Sequence, residues 1–155
     1  MLNPTAAILI IGDEILSGRT RDSNMHYLSC ELTKIGIDLQ EARFIPDNAA
    51  KIIDDVRCLS SKYDYVFTSG GIGPTHDDIT ADCIAAAFET KISIREDAFK
   101  LLENYYSEQN IDFNSARQRM ARIPNGAKLI DNPISVAPGF YLNNVFVMAG
   151  VPNIF

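Results

Sequence analysis

The sequence predicts an α/β protein: a mostly parallel sheet covered on both faces by helices and finished by an antiparallel corner. Continuous β-branched runs alternate with stretches of helical periodicity, which is the pattern of strands linked by crossover helices. Glycines and acids concentrate in the loops after the first three strand-like runs, where open α/β sheets take their ligands. The tail breaks into short strand-like pieces, with Asn143-Asn144 between two of them as a hairpin turn.

Each element follows from local pattern. Ala6 to Ile11 is an unbroken apolar run, as a strand buried on both faces should be. From Asp22 to Lys34, apolar Met25, Leu28 and Leu32 recur at three- and four-residue steps after an Asp22/Ser23 cap, and Gly36 stops the helix. Ile37 to Ile45 alternates as a second strand. Asn48 to Ser61 reads as a helix with Ile52, Ile53, Val56 and Leu59 on one side, and Tyr63 to Thr68 as a third strand. A helix is expected from near Asp77 to Glu89, then two more over Glu96 to Gln109 and Ser115 to Ile123. The apolar and aromatic side chains of that last pair, Phe99, Leu102, Tyr105, Tyr106, Phe113 and Met120, are expected to pack on the main layer or at a subunit contact. Strands at Lys128 to Ile130, Phe140 to Leu142 and Val145 to Met148 complete the list. No repeat or linker divides residues 1–155, so one domain is expected.

Composition narrows the function. The chain has 155 residues, with 14 basic and 20 acidic side chains, a net charge of −6, which is the wrong sign for tracking a nucleic-acid backbone. The apolar run near the start is too short for a signal segment or a membrane span, so a cytoplasmic protein is expected, with no nucleic-acid and no membrane partner. Cys30, Cys58 and Cys83 contain no C-x-x-C pair and read as buried small apolar side chains rather than disulfides, zinc ligands or a catalytic thiol.

The loop Gly70-Gly71-Ile72-Gly73-Pro74-Thr75-His76-Asp77-Asp78 is the sharpest chemical signal. Closely spaced glycines let backbone N–H groups approach an anion, and the following helix turns its positive end toward it. The spacing is neither G-x-G-x-x-G nor the Walker pattern. Asp77 and Asp78 read either as cap and first-turn acids or as ligands of a hard divalent ion, since carboxylates beside a phosphate cradle repel the anion unless a cation lies between them. Asp13 and Glu14 after the first strand and Asp47 after the second extend this acidic rim. His76 reads as a hydrogen-bonding neighbour rather than a general base, and His26 as structural. Arg95, Arg117, Arg119 and Arg122 have the charge to bind phosphate but read as solvated helix faces.

Several segments taken together resemble a known family: Gly12-Asp13-Glu14-Ile15-Leu16-Ser17-Gly18, Asp22-Ser23-Asn24, Thr68 to Thr80, Met120 to Ala127, Asn132-Pro133, Ala137-Pro138-Gly139-Phe140 and Ala149-Gly150-Val151-Pro152. The chain resembles the molybdopterin-binding (MoaB/MogA-like) superfamily, most closely the amino-terminal domain of CinA-type proteins. The resemblance implies a three-layer α/β/α sandwich with a pterin- or nucleotide-binding cleft, assembled as dimers or trimers. It carries catalytic acids onto Asp47 and Asp78, and the metal dependence it implies (Mg, Mn or Co) joins the reading of Asp77 and Asp78 as metal ligands. Ligand contacts are expected from Gly12, Asp13, Glu14, Gly18, Asn24, Ser69, Gly70, Gly71, Gly73, Pro74, Thr75, Thr80, Asn132, Pro138 and Gly139. Ser135-Val136 departs from the Gly-Thr common there in the family, and the sequence ends at Phe155 where relatives usually continue, which fits a minimal or a truncated member.

Two activities follow from the resemblance. CinA-type domains are associated with metal-dependent hydrolysis of ADP-ribose to AMP and ribose 5-phosphate. The alternative is a module that binds a pterin, such as molybdopterin, or a nucleotide without turnover, or a cofactor-biosynthesis protein that adenylylates molybdopterin or inserts molybdate. A degenerate member with a relic cleft is the third reading.

Overall fold

In the computed structural model, which describes residues 2–134, 137–152 and 155, the first half of the chain runs β1 (Thr5–Ile11), α1 (Asp13–Leu16), α2 (Asn24–Lys34), β2 (Asp38–Ile45), α3 (Ala49–Lys62), β3 (Tyr65–Ser69) and α4 (Thr80–Ala87). The second half runs β4 (Ile92–Ile94), α5 (Glu96–Glu108), α6 (Ser115–Gln118), a 3-10 turn (Arg119–Ala121), β5 (Arg122–Pro124), β6 (Lys128–Ile130), β7 (Gly139–Leu142) and β8 (Val145–Met148). Six strands form one sheet in the order β2-β1-β3-β8-β7-β6. The first four are parallel and the last two pairings are antiparallel. This is the expected mostly parallel three-layer sandwich with an antiparallel edge.

The apolar run in β1 is explained by its position, because Ala6, Ala7, Ile8 and Leu9 are all fully buried between two neighbours and two helical layers. Alternate residues serve opposite faces. Ala7, Leu9 and Ile11 pack with Ile52, Val56 and Leu59 of α3, Ile84 of α4 and Leu102 of α5, whereas Ala6, Ile8 and Ile10 pack with Leu28 and Leu32 of α2. Burying each such Leu or Ile contributes roughly 1.5–3 kcal/mol. Beyond β3 the α2 face of the sheet carries an aromatic row, with Phe146 stacked on Phe67 at 5.3 Å and on Tyr141 at 5.1 Å.

Four expectations need correction. The helix expected from Asp77 starts only at Thr80, because the Thr80 N–H donates to the Gly71 carbonyl at 3.0 Å and pins the preceding residues as a loop. Asp77 and Asp78 therefore lie ahead of the helix and are not its first-turn acids. The helix expected over Ser115 to Ile123 breaks after Gln118, since Arg122–Pro124 pairs antiparallel with Ile92–Ile94 in a second, two-stranded sheet. Strands of three residues leave no readable period. Cys83 is buried, which pushes its thiol up to about 11, but Cys30 and Cys58 are exposed, because both fall on the outward sides of their helices. Among the described residues no helix is long and apolar enough to cross a membrane.

A polar cluster ties edge strand β2 to α3. The Glu41 carboxylate accepts from the Tyr63 hydroxyl at 2.6 Å, Arg43 Nε at 2.7 Å and Lys62 Nζ at 3.3 Å, while Arg43 also donates to Asp55 at 2.8 Å. The Tyr63 hydroxyl and then Arg43 hold the Glu41 carboxyl down from 4.5 to about 2. A depressed carboxyl contributes stability above its unfolded value and loses it as pH falls through its folded one. Glu41→Gln should thus cost on the order of 1 kcal/mol at pH 7 after solvent screening. Urea titrations should show the gap from the unmodified chain closing between about pH 4.5 and pH 2.

Candidate functional site

Three loops leave the carboxyl ends of β1, β2 and β3 side by side, and the backbone dictates how closely they approach. Gly70 has φ 104°, and a Cβ there would sit 2.2 Å from the Ile11 carbonyl oxygen. At Gly71, φ is 77° and a Cβ would meet the Thr80 hydroxyl at 2.0 Å. That hydroxyl donates to the Gly70 carbonyl at 2.9 Å, so the loop turns back over β1 only because both positions lack a side chain. Gly12, also buried, leaves space for Glu14, whose carboxylate oxygen would lie 2.5 Å from an added Cβ.

The first two loops are locked to each other. The Asp13 N–H donates to Asp47 Oδ2 at 3.0 Å, and the Asp47 N–H donates to Asp13 Oδ1 at 3.1 Å. Each acid thus spends one oxygen on the other's backbone, which holds two like charges close without direct contact. Burial raises the Asp47 carboxyl above its usual range against the opposing pull of the Asp13 N–H, and the charges of Asp13, Glu14 and Asp78 add to the rise. Asp78 is oriented from the third loop. Its Oδ2 accepts from the Thr75 N–H at 2.9 Å and the Thr75 hydroxyl at 2.8 Å, and Gly73 leaves room for the carboxylate, 2.8 Å from where a Cβ would be.

Two cavities meet at this loop. A polar one of about 300 Å³ is lined by Asp13, Glu14, Asp47, Asp77, Asp78 and Thr75, together with Arg19. A larger, more apolar one of about 500 Å³ lies between Gly70, Gly71, Gly73, Pro74, Asn132, Tyr106 and Met120. Glu14, Gly71 and Asp78 border both, so an elongated ligand lying across them reaches an acid-rich end and an apolar end.

Other expected contact residues lie outside these walls. Asn24 is buried, and its amide donates to Ser69 Oγ at 2.7 Å and to the Gly150 carbonyl at 3.0 Å. Asn24, Ser69 and Thr80 therefore brace the cleft from behind. Gly18 makes a turn at φ 78° away from both cavities. Gly139 opens β7 against the Val147 carbonyl, and Pro138 is buried beside it. Ser135 and Val136 lie outside the described residues.

Sequence reading missed Arg19, Tyr106 and Met120 as cavity walls. Arg19 directly follows a glycine-rich segment and was open to detection by position, whereas Tyr106 and Met120 belong to a stripe whose spacing suits simple packing equally well.

A divalent ion suits the donor chemistry here, though among the described residues no three His, Cys, Asp or Glu side chains converge into a ready-made metal site. Ions such as Mg²⁺ are commonly held by one or two carboxylates plus ligand phosphates. Asp77 and Asp78 fit that mode, and a closed protein cage does not exist among the described residues.

The architecture defines the class first: an α/β/α protein with a two-compartment cleft at the carboxyl edge of its parallel strands. The family described as "Probable molybdopterin binding domain" matches residues 7–155, and the chain belongs to it, in its CinA-like branch. The crystal structure of the protein CinA from Thermoplasma acidophilum is similar at TM-score 0.88 and 30% identity, over 98% of this chain and 91% of that one. The tungsten cofactor synthesizing protein MoaB from Pyrococcus furiosus shares the fold at TM-score 0.59 and 18% identity, over 98% and 85% of the two chains. An Archaeoglobus fulgidus protein is 35% identical over 94% of this chain and 61% of its own length. A probable FAD synthase of Caenorhabditis elegans is 36% identical over 96% of this chain and 32% of its own. The chain spans about three-fifths or less of these curated relatives.

Gly70→Ala should lower stability by more than about 2 kcal/mol, as strain adds to a backbone clash, and a denaturant melt measures it. Asp47→Asn should do the reverse. A carboxyl raised by folding favours the folded state only below its unfolded value and is a cost once ionised. The amide, which still accepts from Asp13, should melt about 2 °C higher at pH 7, with the difference vanishing below about pH 4.

Proposed function

We propose that the cleft binds a pyrophosphate-containing nucleotide and hydrolyses it, with ADP-ribose-like substrates giving AMP and ribose 5-phosphate. The observation that carries this reading is the junction of the two cavities at Gly71 and Asp78. The apolar compartment suits a base, and the acid-lined one suits the phosphates. Tyr106 and Met120 supply the apolar wall, and the backbone of Gly70, Gly71 and Gly73 leaves the floor free of side chains. Asp47, whose carboxyl is raised toward proton-accepting strength, orients a water and takes its proton as the water oxygen bonds to phosphorus. The bond from that phosphorus to the bridging oxygen breaks, and the second phosphate leaves with the oxygen. Asp78, fixed by Thr75, faces the same cavity and with Asp77 would hold a divalent ion, which would supply positive charge to the phosphoryl oxygens.

A second reading is supported by the size and apolar lining of the 500 Å³ compartment, which also suits a pterin. In it the domain binds molybdopterin or a nucleotide without hydrolysis, or serves cofactor biosynthesis by adenylylation or molybdate insertion, in line with the names its MoaB-like and FAD-synthase relatives carry. Assembly into dimers or trimers belongs with either reading, and the half-buried aromatic row of Tyr65, Phe67, Tyr141 and Phe146 supports it.

Incubation with ADP-ribose and Mg²⁺, Mn²⁺ or Co²⁺, followed by chromatography, should yield AMP. Asp78→Asn should lower the rate at least about a hundredfold with the melting curve intact. Absence of AMP with every metal, alongside saturable molybdopterin binding, would select the second reading.

A further inference from the structure

The outer side of the Gly73–Asp78 loop faces an open groove of about 640 Å³, bounded by Pro74, Thr75 and His76 on one wall and by residues 114–117 and Arg119 on the other. In a chain of net charge −6 this groove is anomalous, because two arginines and a histidine line it and no carboxylate does. The neighbouring arginines are neutralised: Arg122 donates to Asp82 at 2.8 Å, and Arg95 lies 3.0 Å from Asp97. Arg119 differs. The residue is half-buried, yet its side chain has no hydrogen-bond or ion-pair partner among the described residues. Arg117 is held by donating to the Asp112 carbonyl at 2.6 Å, with its guanidinium 5.3 Å from the Tyr106 ring centroid, so it is fixed but carries no paired anion. His76 lies 3.3 Å from Asp77, and both are largely exposed.

A guanidinium with no counter-charge among the described residues offers a planar donor fork that matches phosphate oxygens. We propose that this groove is an anion subsite for a phosphate or pyrophosphate group, with Arg119 as its anchor, Arg117 as a flanking cation and His76 as a flanking ring N–H donor. Thr75 borders both this groove and the acid-lined cavity, so a ligand crossing Thr75 places one anionic group beside the acids and another against Arg119. The subsite stands on its own cations and does not depend on hydrolysis.

Calorimetry with inorganic pyrophosphate, in EDTA and at low salt, tests it on the full chain. Saturable binding is expected, at least tenfold weaker in Arg119→Gln, partly restored in Arg119→Lys, and weakened by added salt. Equal binding by Arg119→Gln and the unmodified chain overturns the proposal, as does an absence of binding without metal. Thermal melts establish that each variant is folded. A parallel titration with ADP-ribose identifies the source of the group: a similar loss in Arg119→Gln means the ligand carries it, and an unchanged affinity means that a free anion occupies the groove.

Discussion

The structure of the cleft depends on one close approach, that of Gly70 to the Ile11 carbonyl at the shared end of β3 and β1. With no side chain at Gly70 or Gly71, the chain leaving β3 folds down onto β1 rather than away from the sheet. The Thr80 hydroxyl then closes the loop on the Gly70 carbonyl, and Asn24 fastens the end of β3 to the Gly150 segment. This arrangement brings Asp77 and Asp78 to the cavity, where Asp13 and Asp47 are already locked to each other. Asp78 reaches the electrostatic field of Asp47 because the loop between them is turned back, and α4 starts late, at Thr80, because the pin consumes the residues that would have been its first turn.

The electrostatics run against stability. Several carboxylates share one small cavity, and backbone N–H groups and the Thr75 hydroxyl turn toward the oxygens of Asp13, Asp47 and Asp78. Burial, with the neighbouring carboxylates adding to it, raises the proton affinity of Asp47, and Arg19 is the one basic side chain among the cavity's described walls. By contrast, the Glu41 cluster on the sheet edge surrounds its carboxylate with Tyr63, Arg43 and Lys62 and depresses the same type of group. The two clusters show the same chemistry in opposite surroundings: one carboxylate is ringed by donors that hold β2 on α3, and the other group of carboxylates faces an open cavity.

Much of this was legible in the sequence because it lives in local pattern. The β1 run, the periodicity of α2 and α3 and the Asn143-Asn144 turn each depend on neighbours a few residues away. The acids of the cleft were legible for a different reason, since strand ends in a parallel sheet share an edge whatever the intervening lengths. What escaped depends on three-dimensional pairing. The three-residue partners β4 and β5 are strands only because they meet each other, and that meeting broke the helix expected beyond Gln118. Asn24 reads as a ligand contact by motif, but its amide is spent inward on Ser69 and Gly150. Tyr106 and Arg119 look like packing and solvated charge in sequence, and only the return of their segment past the Gly73–Asp78 loop gives them other surroundings.

That return also explains why the chain keeps a segment between β4 and β6 that adds little to the main sheet. The glycine loop has two sides, and β1 and β2 supply acids to only one of them. The other side needs a wall from elsewhere, which α5, α6 and the 3-10 turn provide. Met120 and Tyr106 reach the apolar compartment from that wall, and Arg119 and Arg117 reach the outer groove. A single loop pinned by two glycines is thus bordered by acids, by an apolar compartment and by cations in turn, and a ligand with a ring, a pyrophosphate and a further anionic group would meet each in its own chemistry.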